Sequence, residues 1–361
     1  MSSADAVAWV LWAGLTAYTV FGGADFGAGF WSLVAGSGGR GLRARELIDW
    51  AIGPVWEANH VWLIFVLVVL WTGFSAAFEA IFSTLFIPLS LAALGIVLRG
   101  SGFAFHKTAR RLKGRQVAER LFGLSSLLTP FFMGTVVGAV ASGRVPVGNA
   151  NGDPVTSWLN PLSLLIGALF VAMSAYLAAV FLISDARRAR AADLERYFTT
   201  RALAAAVAAG ALAVAGVLVL RSEARYVYDG LTSDGLPLVI ASLLCGAAAL
   251  VVIGRGARRS ARPLAVAAVV AVVWGWGIAQ HPYLLPQELT IDDAAAPSAT
   301  LTTVLIVFGV AVVLVLPSMA LLYTLAQRSL IEEAASPAAD ASAGREGAPG
   351  DGGLERARRP R

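Results

Sequence analysis

Nine separate stretches of this 361-residue chain are long and apolar enough to cross a lipid bilayer, at about 8–34, 51–73, 78–98, 121–142, 161–183, 202–220, 236–254, 263–280 and 301–325. Crossing the hydrocarbon takes roughly 20 apolar residues in a helix, because no water is present there to satisfy an open backbone. The composition agrees: 57% hydrophobic residues, 14% charged and a mean hydropathy of +0.71 leave too little polar surface for a soluble domain. The pattern predicts an all-α polytopic membrane protein of about nine transmembrane helices, arranged as two four-helix bundles plus one peripheral helix.

Lys and Arg set the expected orientation, because short loops that carry them stay on the inner side. Four alternate loops hold most of those between the spans: Arg40, Arg43 and Arg45 in the first, seven between Arg99 and Arg120, five between Arg187 and Arg201, and four between Arg255 and Arg262. The intervening loops contribute only Arg144, Arg221 and Arg225. The N-terminus is therefore expected outside and the C-terminus inside. This placement, together with anionic inner-leaflet lipid, accounts for a pI of about 9.7 without nucleic acid. No Lys or Arg precedes the first apolar run, which is too long for a signal-peptide core, so it reads as a retained helix.

Residues 1–327 read as one membrane domain. The segment 328–361, rich in Ala, Gly, Pro, Glu and Arg without apolar periodicity, reads as a disordered cytoplasmic tail. Cys245 is the single cysteine, which excludes an intrachain disulfide and a thiolate metal cluster. Neither lysine, Lys107 or Lys113, sits in a phosphate-binding loop motif, so the chain carries no ATPase of its own.

An ionisable side chain inside the bilayer costs roughly 2.5–3.5 kcal/mol on insertion scales, so each one is a functional candidate. Asp25 lies in Gly22-Gly23-Ala24-Asp25-Phe26-Gly27-Ala28-Gly29, and Glu57 and His60 lie in Gly53-Pro54-Val55-Trp56-Glu57-Ala58-Asn59-His60-Val61-Trp62. Spans 1 and 2 leave the same basic loop, which puts Asp25 about 13 Å and Glu57 about 12 Å from its two ends at 1.5 Å per residue. The two carboxylates are therefore expected at one level, in a polar pocket that the glycines around Asp25 make room for. Glu57 and His60, three residues apart, share a helix face that Trp56, Asn59 and Trp62 can line.

Such groups suit proton transfer better than nucleophilic catalysis. Helix packing alone is the competing reading, since Gly23 and Gly27 form a Gly-x-x-x-Gly pair. His60 can also be read as a haem ligand; His106 and His281 fall at span ends. Arg99, at the inner end of the third span, can snorkel to the interface or pair with a carboxylate. Pro88 is expected to kink the third span, and Glu79 to be exposed at its outer end. Trp71, Trp158, Trp274 and Trp276 fit interfacial belts.

These motifs resemble subunit II of the cytochrome bd-type quinol oxidases, including the cyanide-insensitive branch. The resemblance covers most of the chain. It rests on Gly23 to Gly29, on Ile52 to Ile64, on Arg99-Gly100 with Phe103 and Phe105, and on Pro282-Tyr283-Leu284-Leu285-Pro286 with Leu289-Thr290-Ile291 and Ala294 to Pro297.

It implies a nine-helix subunit of the bacterial cell membrane, paired with a subunit I that binds haem b558, haem b595 and haem d. Together they would oxidise quinol and reduce O₂ to water electrogenically, with no metal held by this chain and no catalysis by it alone. Asp25 and Glu57 match the family's acidic positions on the proton route, a quinone can lie in subunit II as a structural lipid, and a small single-helix subunit can accompany the pair. Ala104 and His106 replace an acidic and a basic residue common in the family, and His60 stands where many members carry Glu or Gln. Two other classes fit the same residues: an ion-coupled secondary transporter, with midplane carboxylates and glycine-broken helices, and a purely structural assembly subunit.

Overall fold

A computed structural model describes residues 2–108, 112–256 and 260–315, and residues 317, 318, 321 and 324; for 52–58, 103–108 and 112–119 it describes the backbone only. The chain is almost entirely helical. The first half comprises α1 (Ser3–Leu33), α2 (Gly39–Gly73), α3 (Ser75–Thr84), α4 (Phe86–Thr108), α5 (Leu112–Ala141) and α6 (Pro161–Arg188). The second comprises α7 (Ala192–Glu223), α8 (Arg225–Thr232), α9 (Leu236–Gly254), α10 (Ala261–Gln280), the hairpin strands β1 (Tyr283–Leu285) and β2 (Leu289–Thr290), α11 (Ile291–Ala294) and α12 (Ser298–Val315).

Local chemistry sets the helix starts. Ser2 and Asp5 form a capping box on α1, each side chain bonding the other's backbone N–H. Asn160 caps α6 by accepting from Ser163 N at 2.9 Å, with Pro161 at the first helical position, where its missing N–H costs nothing.

Among the described residues, seven helices are long and apolar enough to cross a membrane, or eight when one bent pair counts as a single span. The expected third span, 78–98, is not one helix. Asn59–Gly73 and Ser75–Thr84 meet at 117°, α3 ends at Leu85, and a new helix starts at Phe86. Pro88 therefore stands in the first turn of α4 rather than kinking a span from within, because a first-turn residue has no intrahelical N–H bond to lose. Glu79 is exposed on α3.

Helix α1 packs against α2, α5, α6 and α10. Two apolar clusters bracket its polar middle. One, around Trp31, Ile48, Leu177 and Phe198, joins the ends of α1 and α2 near their shared loop to α6, α7, α9 and α10. The other, around Val7, Phe74, Leu85 and Leu285, joins the opposite ends to α3, α5 and the hairpin. Contact between α1 and α6 is closest at Gly27, where a Cβ would fall on the Ser174 backbone carbonyl.

By its contacts the chain divides into Met1–Phe308, described above, and Gly309–Arg361. The second unit is helical at each of its described residues, 309–315, 317, 318, 321 and 324. The expected tail, 328–361, lies outside the described residues.

Candidate functional site

Between the two apolar clusters lies a charged centre to which four helices contribute. Asp25 of α1 and Arg99 of α4 are 1% and 0% exposed. Arg99 Nη2 donates to Asp25 Oδ1 at 2.5 Å and Nε to Asp25 Oδ2 at 3.2 Å, a two-pronged pair. Nη2 also donates to the Asp25 backbone carbonyl at 2.9 Å, and Nη1 to Ser126 Oγ of α5. Asn59 Nδ2, from α2, approaches Asp25 Oδ2 at 3.5 Å.

The guanidinium is enclosed by the rings of Phe122 at 4.1 Å and Phe26 at 5.1 Å. A buried pair of this kind is tolerated only when its geometry is good and its remaining hydrogen-bonding capacity is met. Of the two readings of Arg99, snorkelling and pairing, the geometry is that of pairing.

Absent side chains make the close approach possible. A Cβ on Gly29 would overlap Ser126 Oγ and Arg99 Nη1, and one on Gly22 would come within 2.8 Å of Asn59 Oδ1. Pro130, inside α5, cannot donate to the carbonyl of Ser126, so the helix is loosened one turn from the hydroxyl that Arg99 reaches.

Tyr18 Oη, Asn59 Oδ1 and Trp62 Nε1 are also buried, with no hydrogen-bond partner among the described residues. Tyr18 is seven residues before Asp25, two turns along one face of α1, and Trp62 is three residues beyond Asn59 on α2. Unpartnered buried groups of this kind are the usual lining of internal water. Tyr18, Gly22 and Phe26 also border an apolar cavity of about 200 Å³, walled further by Val137, Met173 and Leu177.

The expected site residues separate as follows. Asp25, Arg99 and Asn59 come together, and Trp62 lies one turn from Asn59. His60 is half-buried on α2. The side chains of Glu57, Trp56, Ala104 and His106, and with them the expected common level of the two carboxylates, lie outside the described residues. His281, at the end of α10, is 4.0 Å from Asp5 and stacks on Trp9, away from the charged centre.

Sequence reasoning did not single out Ser126 or Tyr18. The available signals were the Ser125-Ser126 pair within the apolar run 121–142 and the seven-residue spacing of Tyr18 from Asp25.

Residues 4–326 match the family described as cytochrome bd terminal oxidase subunit II. A Bacillus subtilis (strain 168) protein, provisionally named cytochrome bd menaquinol oxidase subunit II, is 24% identical over 321 residues, 85% of this chain and 91% of its own. The cytochrome bd-I ubiquinol oxidase subunit 2 of Escherichia coli (strain K12) is 27% identical over 225 residues, 59% of this chain and 56% of its own. Among solved structures, a chain of the bd oxidase from Geobacillus thermodenitrificans superposes with a TM-score of 0.72 at 26% identity, covering 90% of this chain and 98% of that one.

Proposed function

The chain belongs to the cytochrome bd terminal oxidase subunit II family, and we propose that it acts as the second subunit of a membrane quinol:O₂ oxidoreductase, holding a haem-bearing subunit I and lining its proton supply. The observation that carries this reading is the buried Asp25–Arg99 pair, set within a fold shared over most of its length with a bd oxidase subunit. The partner's haems b558, b595 and d would supply the electron transfer from quinol to O₂. This chain's own residues supply charge, shape and proton handling.

Within that division of labour, Asp25 and Arg99 are support rather than relay. Arg99 engages both carboxylate oxygens of Asp25, and the paired group would order water along the Asn59 edge. Glu57 and His60, on the same face of α2, are the groups that take up and release protons toward the partner. The unpartnered Tyr18, Asn59 and Trp62 atoms offer further hydrogen-bonding sites that water entering this region would use.

The apolar cavity fits part of a prenyl tail, with Tyr18 Oη as its one unpartnered buried hydroxyl. Leu177, Met173 and Val137 would hold a structural quinone there by apolar contact.

Nine spans follow if α4, whose apolar part Phe86–Gly102 is shorter than the others, joins the seven long helices and the bent pair. At 1.5 Å per residue that 17-residue segment is about 25 Å long, close to the hydrocarbon thickness. The inner loops then face the cytoplasm of a bacterial cell.

The test is to purify the tagged chain from its native membranes and record a reduced-minus-oxidised spectrum. A haem-bearing partner and quinol-driven, electrogenic O₂ uptake are expected. Transport by the chain alone, with no haem protein bound, would defeat the reading.

A further inference from the structure

Several arginines at the basic-loop ends of α2, α6 and α10 have acceptors within the chain. Arg43 grips Asp193 with bonds of 2.8 and 3.0 Å. Arg45 donates to the backbone carbonyls of Ser32 and Gly36, and Asp185 lies 3.7 Å from Arg262 and 3.8 Å from Arg188.

Arg201 of α7 differs. Among the described residues it has no carboxylate within ion-pair distance, and its one hydrogen bond is from Nη1 to the Tyr197 carbonyl at 3.3 Å. Its Nε is buried without an acceptor. The guanidinium lies 3.3 Å over the Tyr197 ring and 5.7 Å from that of Trp31, so aromatic walls hold it in place. The Tyr197 hydroxyl, on the ring beneath it, is also buried without a partner. Arg40 adds a second, repelling positive charge nearby.

A half-buried cation with no carboxylate beside it, and with a second positive charge nearby, is costly unless an anion completes it. The depth suits a lipid head. Arg201 immediately precedes the apolar stretch 202–220, so it stands where hydrocarbon gives way to phosphate. The guanidinium's Nη edge matches two oxygens of a phosphodiester, and the Tyr197 ring beneath it holds that edge in place.

We propose that Arg201, held over Tyr197 and with Arg40 at the rim, binds the phosphodiester of an anionic phospholipid in the inner leaflet. This rests on the membrane orientation proposed above, but its readout is lipid binding and not oxidase turnover, so the two can fail separately.

The test uses the intact oxidase, delipidated and placed in phosphatidylcholine nanodiscs with or without phosphatidylglycerol, followed by native mass spectrometry and thermal unfolding. The wild type should retain phosphatidylglycerol and be stabilised by it. Arg201→Gln should weaken that affinity by about tenfold or more, the scale of a lost charge-assisted contact. Arg201→Lys should give an intermediate loss, and Arg221→Gln, at the far end of α7, none.

Equal phosphatidylglycerol affinity in Arg201→Gln and wild type overturns the proposal. If Arg201→Gln does not assemble, unchanged affinity in Arg201→Lys overturns it. Inorganic phosphate that stabilises the wild type as well as phosphatidylglycerol would reassign the site to a free anion and refute the lipid. Loss of subunit I from Arg201→Gln without any change in lipid retention would refute it in favour of a protein carboxylate.

Discussion

Arg99 donates to both carboxylate oxygens of Asp25, so the positive charge that α4 carries into the membrane is cancelled on α1, 74 residues earlier in the sequence. Removing either partner leaves the other buried and unpaired, which costs roughly 3–5 kcal/mol, whereas removing both is far milder. Asp25→Asn and Arg99→Gln should each lower the thermal stability of the purified oxidase and its yield, and the double variant should recover most of the loss. A double-mutant cycle on unfolding checks this. Additive losses would mean that the pair carries no coupling.

With Asp25 held by Arg99, the proposed reading gives proton delivery to Glu57 and His60. Glu57→Gln in the assembled oxidase should cut quinol-driven O₂ uptake about tenfold or more, on the scale of a lost proton-transfer group, with the haem spectrum intact. Acidic pH should partly restore the rate, because a higher proton concentration compensates for a missing carrier. His60→Gln should do the same to a smaller degree. Wild-type rates in both variants at every pH would eliminate α2 as the route.

The ionisable residues of the site were legible because so few fall inside apolar runs, and Asp25 stands among glycines that only a close helix contact explains. Their pairing stays open in the sequence, with Arg99 able to snorkel or to meet a carboxylate. Counting depth from the basic loop matched Asp25 with Glu57, and it placed Arg99 at the membrane boundary because the third span was expected to end at residue 98. The break at Leu85 shifts that helix along the chain, so Arg99 falls thirteen residues into α4 and inside the protein. A break of this kind leaves little mark on an apolar window, since Phe74, Leu85 and Phe86 are as apolar as the helices they separate. Ser126 was hidden for a different reason: serine is common as helix glue in membranes, and only the arrival of a guanidinium from α4 distinguishes it.

Helix α1 meets α6 through Gly27, and the obstacle to any side chain there is the Ser174 backbone, which cannot rotate aside. Gly27→Ala should therefore destabilise the subunit by about 1–3 kcal/mol through overpacking. Gly246→Ala on α9, where nothing lies within 4 Å of the added carbon, should be neutral or stabilising by about 0.5–1 kcal/mol. Urea or thermal unfolding of the two variants in the same detergent provides the comparison, and equal effects would contradict the packing assignment.

The cavity beside Tyr18 gives a separate handle on the structural quinone. Val137→Phe adds a ring to its wall without touching the charged centre, and should deplete the quinone that organic extraction recovers from the purified oxidase. Tyr18→Phe keeps the volume and removes the hydroxyl, so it should weaken retention only partly. Quinone content unchanged by Val137→Phe would show that the cavity is not its place.

Orientation follows from how the arginines are spent. On the side proposed as outer, Arg144 is neutralised by Glu223 at 2.6 Å and Arg225 lies 3.5 Å from Asp229, leaving little positive charge to resist translocation. On the other side, Arg40, Arg187 and Arg190 are exposed near the ends of α2 and α6. Transfer of those loops would drag several charges through hydrocarbon at roughly 2.5–3.5 kcal/mol each on insertion scales. In a Cys245→Ser background, Val155→Cys should therefore react with a membrane-impermeant maleimide on intact cells, after removal of any outer membrane, whereas Gly38→Cys should react only after lysis. Both positions are exposed, so a reversed pattern could not be ascribed to burial and would invert the topology.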